Sequence, residues 1–210
     1  AKPENKRALQ KELGLAQEDK PIVSCITRLV PQKCPHLIRT ALYRCIEKGA
    51  QFILLGSSPI ADINEKFYRI RDDLAEHKDV FIEMEYNEGL AHRVYAASDM
   101  FIVPSLFEPC GLTPLIAMRY GTVPIVRSTG GLADTVFDLE YSGAAHNEIN
   151  GFNFNDPDDQ GICSALDRAI ETWYSDKKTW QTLVENGMSK DFSWQSASQH
   201  YTEVYKQLTK

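Results

Sequence analysis

The chain is predicted to fold as an α/β domain: a Rossmann-like parallel sheet flanked by helices, with additional helices at its carboxyl end. Two observations predict it. Short apolar runs rich in β-branched residues alternate, almost from end to end, with stretches of roughly 10–15 residues whose apolar positions recur at helical spacing. Strands joined through such helices form right-handed βαβ units, and those build parallel sheets. In addition, 210 residues, 43% of them hydrophobic, suffice for one substantial core, so a single domain over residues 1–210 is expected.

The elements follow in order. Ile22–Ile26 (IVSCI), after Pro21, reads as a buried strand. Over His36–Lys48, the positions Leu37, Ile38, Ala41, Leu42, Cys45 and Ile46 make a helical stripe that stops at Gly49. Phe52–Leu55 is the second strand, Ile60–Glu76 an amphipathic helix, Val80–Met84 a strand and Gly89–Ala97 a helix. Met100–Val103 is a strand, Leu112–Arg119 a short helix closed by Gly121, Val123–Val126 a strand and Leu132–Phe137 helical. Residues 139–150 are polar and read as a mobile surface loop; Phe152–Phe154 adds a last strand. The remainder, Pro157–Lys210, reads as three helices.

Charge and cysteine usage exclude several classes. A net charge of −6 leaves no electrostatic footprint for nucleic acid or an anionic membrane, so any bound phosphate must meet a local cluster of cations. No apolar run of about 18 residues is present, so no membrane-spanning helix is expected. Five widely spaced cysteines without CxxC pairs argue against zinc and against a secreted disulfide scaffold, making a reducing compartment the default. The scattered histidines lack metal-ligand spacing, and no metal site is expected. The amino-terminal residues contain no apolar signal core; a targeting segment, if there is one, lies outside these residues.

In open parallel sheets the ligand lies beyond the carboxyl ends of the strands, so five loops matter. The first holds Arg28 and Lys33, two cations that can both reach one diphosphate, though a solvated turn fits the spacing equally. The second, Gly56-Ser57-Ser58-Pro59, allows close ligand approach or is an ordinary turn. The third offers Tyr86, either a flat face for a nucleobase or a partly buried core ring.

The fourth loop, Pro104 to Thr113, says most. Glu108 stands between prolines, several residues ahead of a helix start, too early for a capping residue. The N–H groups of Gly111, Leu112 and Thr113 at that start can hold a phosphate or a sugar hydroxyl. Cys110 beside them fits a small buried hydrophobe as well as a reactive group, with nothing indicating a thiolate. In the fifth loop, Thr129-Gly130-Gly131 again exposes donors, while Asp134 reads equally as a first-turn helix residue. No GxGxxG or Walker loop follows the first strand, which disfavours ordinary dinucleotide and P-loop sites.

Thr27-Arg28-Leu29-x-x-Gln32-Lys33, Phe107-Glu108-Pro109-Cys110-Gly111-Leu112-Thr113 and Ser128-Thr129-Gly130-Gly131-Leu132 together resemble the carboxyl-terminal half of starch and bacterial glycogen synthases. The resemblance runs from a junction helix around Asn5–Leu15 to the terminal helix. Ala117–Gly121 and Phe192-Ser193-Trp194 look nearer to plant and algal soluble enzymes, of the class III or IV kind.

It implies the carboxyl-terminal domain of a GT-B glycosyltransferase that takes ADP-glucose and transfers glucose with retention to an α-1,4-glucan. By that resemblance Arg28 and Lys33 hold the ADP diphosphate, Tyr86 packs on adenine and Glu108 contacts the donor glucose. Cys110, Gly111, Leu112 and Thr113 present the helix start, and Thr129, Gly130 and Gly131 lie near donor and acceptor. No cofactor or metal is implied. The family's amino-terminal domain, which completes the cleft and carries the acceptor surface, is absent from these residues. Residues 193–210 are expected to pack back on it, leaving Trp194, Tyr201 and Tyr205 exposed here. The location implied is a plastid, chloroplast or amyloplast, for a plant or algal source and the cytoplasm for a bacterial one.

Three positions depart from the family pattern. Cys34 replaces a glycine and is expected to shift the following helix, Pro114 replaces a glutamine, and Ile116 stands where UDP-glucose-dependent GT-B relatives carry a second glutamate. The competing readings are such a UDP-glucose enzyme and a non-catalytic nucleotide- or glucan-binding module.

Overall fold

The computed structural model describes residues 1–208. Six strands form one sheet: β1 Ile22–Arg28, β2 Gln51–Ser57, β3 Val80–Glu83, β4 Met100–Val103, β5 Val123–Arg127 and β6 Phe152–Phe154. Their order is β3-β2-β1-β4-β5-β6, with every neighbouring pair parallel. Both faces are covered, which is why the strands read as continuous apolar runs rather than alternating ones. Phe52, Leu54, Met100 and Ile102 belong to a large core shared with Leu37, Ile38, Leu42, Ile162 and Leu166. Their neighbours Ile53 and Leu55 join Leu9 and Val94 on the other face, as Phe101 and Val103 join Ala117 and Leu132.

The helices are α1 Lys2–Glu12, α2 Pro35–Glu47, α3 Ala61–Asp73, α4 Glu88–Ala97, α5 Leu112–Arg119 and α6 Gly131–Thr135. After β6 come α7 Asp159–Ser175, α8 Lys177–Ser189 and α9 Trp194–Leu208. Local chemistry starts several of them. Asn87, Asp158 and Asp176 each accept a hydrogen bond from the backbone N–H three residues on, at 2.9, 2.7 and 3.0 Å. Along α9, Trp194, Tyr201, Val204, Tyr205 and Leu208 are all more than half exposed, as the sequence led us to expect for the three aromatics. No helix among the described residues is long and apolar enough to cross a membrane.

One reading needs correction. The helix expected over Leu132–Phe137 stops at Thr135, because Val136 turns extended and Phe137 N–H donates to Asn150 Oδ1 at 2.8 Å. The helix after Lys33 begins at Pro35. Cys34 takes the left-handed conformation itself, at φ 50 and ψ 63, where a glycine would be unstrained.

Residues 139–150 carry no regular element, and both ends are tied down. Asp138, 2% exposed, accepts from Arg168 Nη1 and Nη2 at 3.0 to 3.1 Å and from Asn153 N at 2.5 Å. Removing that carboxylate leaves a largely buried guanidinium with the half-exposed Glu140, at 3.8 Å, as its ionic partner. Asp138→Asn is therefore predicted to cost about 3 kcal/mol and roughly 6–12 °C of melting temperature. A midpoint within about 2 °C of the parent in a thermal melt would refute this account of the loop.

Candidate functional site

With the order β3-β2-β1-β4-β5-β6, the connections from β1 and β4 leave in opposite directions, and a crevice opens between their carboxyl ends. The first and fourth loops meet there. Arg28 is the last residue of β1, and a 3-10 turn over Pro31–Lys33 swings Lys33 back across the crevice. Its Nζ forms an ion pair with Glu108 Oε2, 75 residues on, and Ser105 Oγ donates to the same oxygen at 3.1 Å. The two side chains are 19% and 15% exposed, so the charges are shielded yet reachable. Sequence reasoning singled out both residues but not their contact. Ser105 was missed as a support, since nothing in the sequence shows where its hydroxyl points.

Two small cavities lie along this rim, the first of them against Lys33. One, about 220 Å³, is lined by Arg28, Lys33, Ser105 and Thr113; the other, about 180 Å³, by Arg28, Leu55, Gly56, Glu85 and Tyr86. Ile26, Thr27 and Arg28 line both, so Arg28 stands between them. Tyr86 is 85% exposed, which removes the alternative of a partly buried core ring. Cys110 is exposed as well, which removes the alternative of a buried small hydrophobe. Burial pushes the Cys25 thiol up to about 12 and the Cys45 thiol higher still, so neither is a nucleophile.

The fifth loop packs backbone to backbone on the fourth. Gly131 N–H donates to Glu108 O at 3.0 Å, so that donor is engaged within the protein. Gly130 is exposed, and Asp134 lies exposed in the first turn of α6. The helix α5 begins at Leu112 after a left-handed Gly111, and no side chain caps it. Its start faces the crevice through Thr113.

A larger groove of about 540 Å³ lies at the amino ends of the strands, near Trp173. Lys6 and Lys177 already occupy that ring, at 4.7 and 3.1 Å from its centroid, and its Nε1 donates to Asp99. At the switch point Lys33 and Glu108 engage each other, while the Tyr86 ring stands open. Two cations, a carboxylate and an open aromatic face thus lie around two neighbouring cavities, which suits a sugar attached to a nucleoside diphosphate.

The sequence matches glycosyl transferases group 1 over residues 6–190, and the chain belongs to that family. Its architecture is that of one GT-B half, and its likeness within the family is specific. It is 50% identical over 204 residues to a glycogen synthase of Protochlamydia amoebophila (strain UWE25), and 52% identical over 206 to the probable starch synthase 4, chloroplastic/amyloplastic, of Arabidopsis thaliana. Each match covers 97% of this chain, but only 41% and 20% of those relatives. The solved catalytic domain of starch synthase IV from Arabidopsis thaliana, bound to ADP and acarbose, superposes with a TM-score of 0.93 at 51% identity. That match covers 98% of this chain and 42% of the other.

Proposed function

We propose that this chain is the donor-binding half of an enzyme that transfers glucose from ADP-glucose, with retention, to the non-reducing end of an α-1,4-glucan. The observation that carries the reading is the meeting of Lys33 with Glu108 at the switch point, with Arg28 beside them between two cavities. Arg28 and Lys33 hold the diphosphate and neutralise the charge it gains as the glycosidic bond breaks. Glu108, steadied by Ser105, accepts hydrogen bonds from donor glucose hydroxyls, and the start of α5 from Cys110 to Thr113 supplies backbone donors. Tyr86 packs on the adenine, and Thr129 with Gly130 faces the donor and acceptor. The developing oxocarbenium-like state is thus stabilised through its leaving group, and the cations on this half perform that neutralisation without a metal.

The chain spans less than half of the glycogen and starch synthases reported above. In the proposed enzyme the acceptor surface and the opposite wall of the cleft lie on an amino-terminal domain. The exposed aromatics of α9 fit a helix that packs back across that domain. Location follows source: a plastid for a plant or algal protein, the cytoplasm for a bacterial one.

Calorimetric titration of the 210-residue chain tests the reading. ADP is expected to bind, UDP to bind more weakly, and glucose transfer by the chain alone to be undetectable. Tighter binding of UDP would point to a UDP-glucose enzyme, and heat from maltooligosaccharide alone to a glucan-binding module. Either result would overturn the proposal.

A further inference from the structure

Three consecutive carbonyls in the fourth loop are held from two neighbouring loops of the rim, the first and the fifth. Leu106 O accepts from Arg127 Nη1 at 2.6 Å, Phe107 O from Gln32 Nε2 at 2.7 Å, and Glu108 O from Gly131 N at 3.0 Å. Arg127 closes β5, Gln32 lies in the 3-10 turn before Lys33, and Gly131 opens α6. Gln32 is bound in both directions, since its own carbonyl accepts from Leu106 N at 2.8 Å. Arg127 is fixed at a second point, donating from Nε to Asn155 O at 3.0 Å just beyond β6.

Burial does not hold this segment. Leu106 is 45% exposed and Phe107 58%, so their side chains contribute little that would fix the backbone. The charge-assisted bond from Arg127 and the bond from Gln32 set the path on which Glu108 follows. A carboxylate must be held to within about half an ångström to favour one sugar geometry, and its own side-chain partners cannot do that on a loose backbone.

We propose that Arg127 and Gln32 are positioning residues for Glu108, serving recognition of the sugar rather than of the diphosphate. The inference rests on the donor-site reading above and extends it to two side chains outside the cavities' cation set. Arg127 acts through the Leu106 carbonyl, one peptide away from Phe107, and Gln32 through the next. Gln32 couples the loop carrying the cations to the loop carrying the carboxylate, and Arg127 ties that loop to the end of β5.

The test uses Arg127→Met and Gln32→Met in the 210-residue chain, with ADP and ADP-glucose titrated separately. In both variants the ratio of ADP-glucose affinity to ADP affinity is expected to fall about fivefold, as a hydrogen bond to the sugar is misplaced, while ADP binding itself is kept. Arg127→Lys, which retains a cationic donor for one carbonyl, is expected to recover part of the ratio. A purely structural prop would lower both affinities together, and that outcome overturns the proposal. So does an unchanged ratio in either folded variant. If Arg127→Met does not fold, Gln32→Met alone decides, since it removes an uncharged donor from an exposed site. Failure of the unsubstituted chain to bind ADP is a separate result, which removes the donor reading and this inference with it.

Discussion

Alanine at Gly131 is expected to destabilise the domain by about 3 kcal/mol or more, a loss typical of forcing atoms into a packed position with no room to relax. The reason is contact alone. A Cβ at Gly131 would lie 2.4 Å from Cys110 O, 2.7 Å from Cys110 Cα and 2.8 Å from Cys110 C. All three are backbone atoms of the fourth loop, so no side chain can rotate out of the way. At Gly130 the same approach recurs, with Glu108 O at 2.3 Å from the added Cβ, and φ 48 with ψ −137 adds backbone strain. Gly143 is the control: its φ is 64, yet nothing lies within 4 Å of its Cβ, so alanine there costs about 1 kcal/mol. A thermal melt should therefore place Gly131→Ala roughly 6–12 °C below the parent and Gly143→Ala only a few degrees below. Equal midpoints for the two would mean the fourth loop moves aside at little cost. The paired glycines then serve to let the fifth loop press on the loop that carries Glu108, in addition to any contact with a ligand.

Strands were legible because burial on both faces leaves an unmistakable apolar run, as in Met100–Val103, found with the same bounds in the structure. Phe152–Phe154 also kept its bounds, while other strands ended one or two residues away, as where β1 runs on through Thr27 and Arg28. Such ends depend on ladder partners, here Gly56 and Ser57, which periodicity does not report. The pairing of β1 with β4, on which the crevice depends, is a tertiary fact with no local sequence signal. For the same reason Lys33 and Glu108 were each conspicuous by type and setting, while their contact was invisible. Tyr86 and Cys110 stayed ambiguous because an aromatic or a thiol after a strand fits a core and a rim alike. Only exposure separates those cases. Cys34 shows the opposite limit: a departure from pattern was visible, but not the strained left-handed backbone with which the chain meets it.

Removing the negative charge of Glu108 is expected to strengthen ADP binding, the reverse of what loss of a binding residue usually does. Without a ligand, Lys33 is neutralised by Glu108 in a partly buried pair, and Ser105 donates to the same carboxylate oxygen. An incoming diphosphate must take Lys33 from that carboxylate, and the cost of breaking the pair is subtracted from the gain. Glu108→Gln keeps the shape and a hydrogen-bond acceptor but frees the ammonium group. If the pair contributes about 1 kcal/mol, the upper end for accessible pairs, the Kd for ADP falls about fivefold. Lys33→Ala should act in the opposite sense and weaken ADP by about tenfold or more, because a charge-assisted phosphate contact is lost outright. The two effects are coupled: in a Lys33→Ala background, Glu108→Gln no longer has an ammonium group to release. Its benefit should shrink to removal of a nearby negative charge. Weaker ADP binding by Glu108→Gln alone, in a protein whose melt is unchanged, would mean that the carboxylate holds the nucleotide directly and does not compete with it. The competition has a physical consequence for the proposed reaction. The same displacement that commits Lys33 to the diphosphate releases Glu108 toward the glucose, so the two halves of the donor are recognised in one exchange of partners.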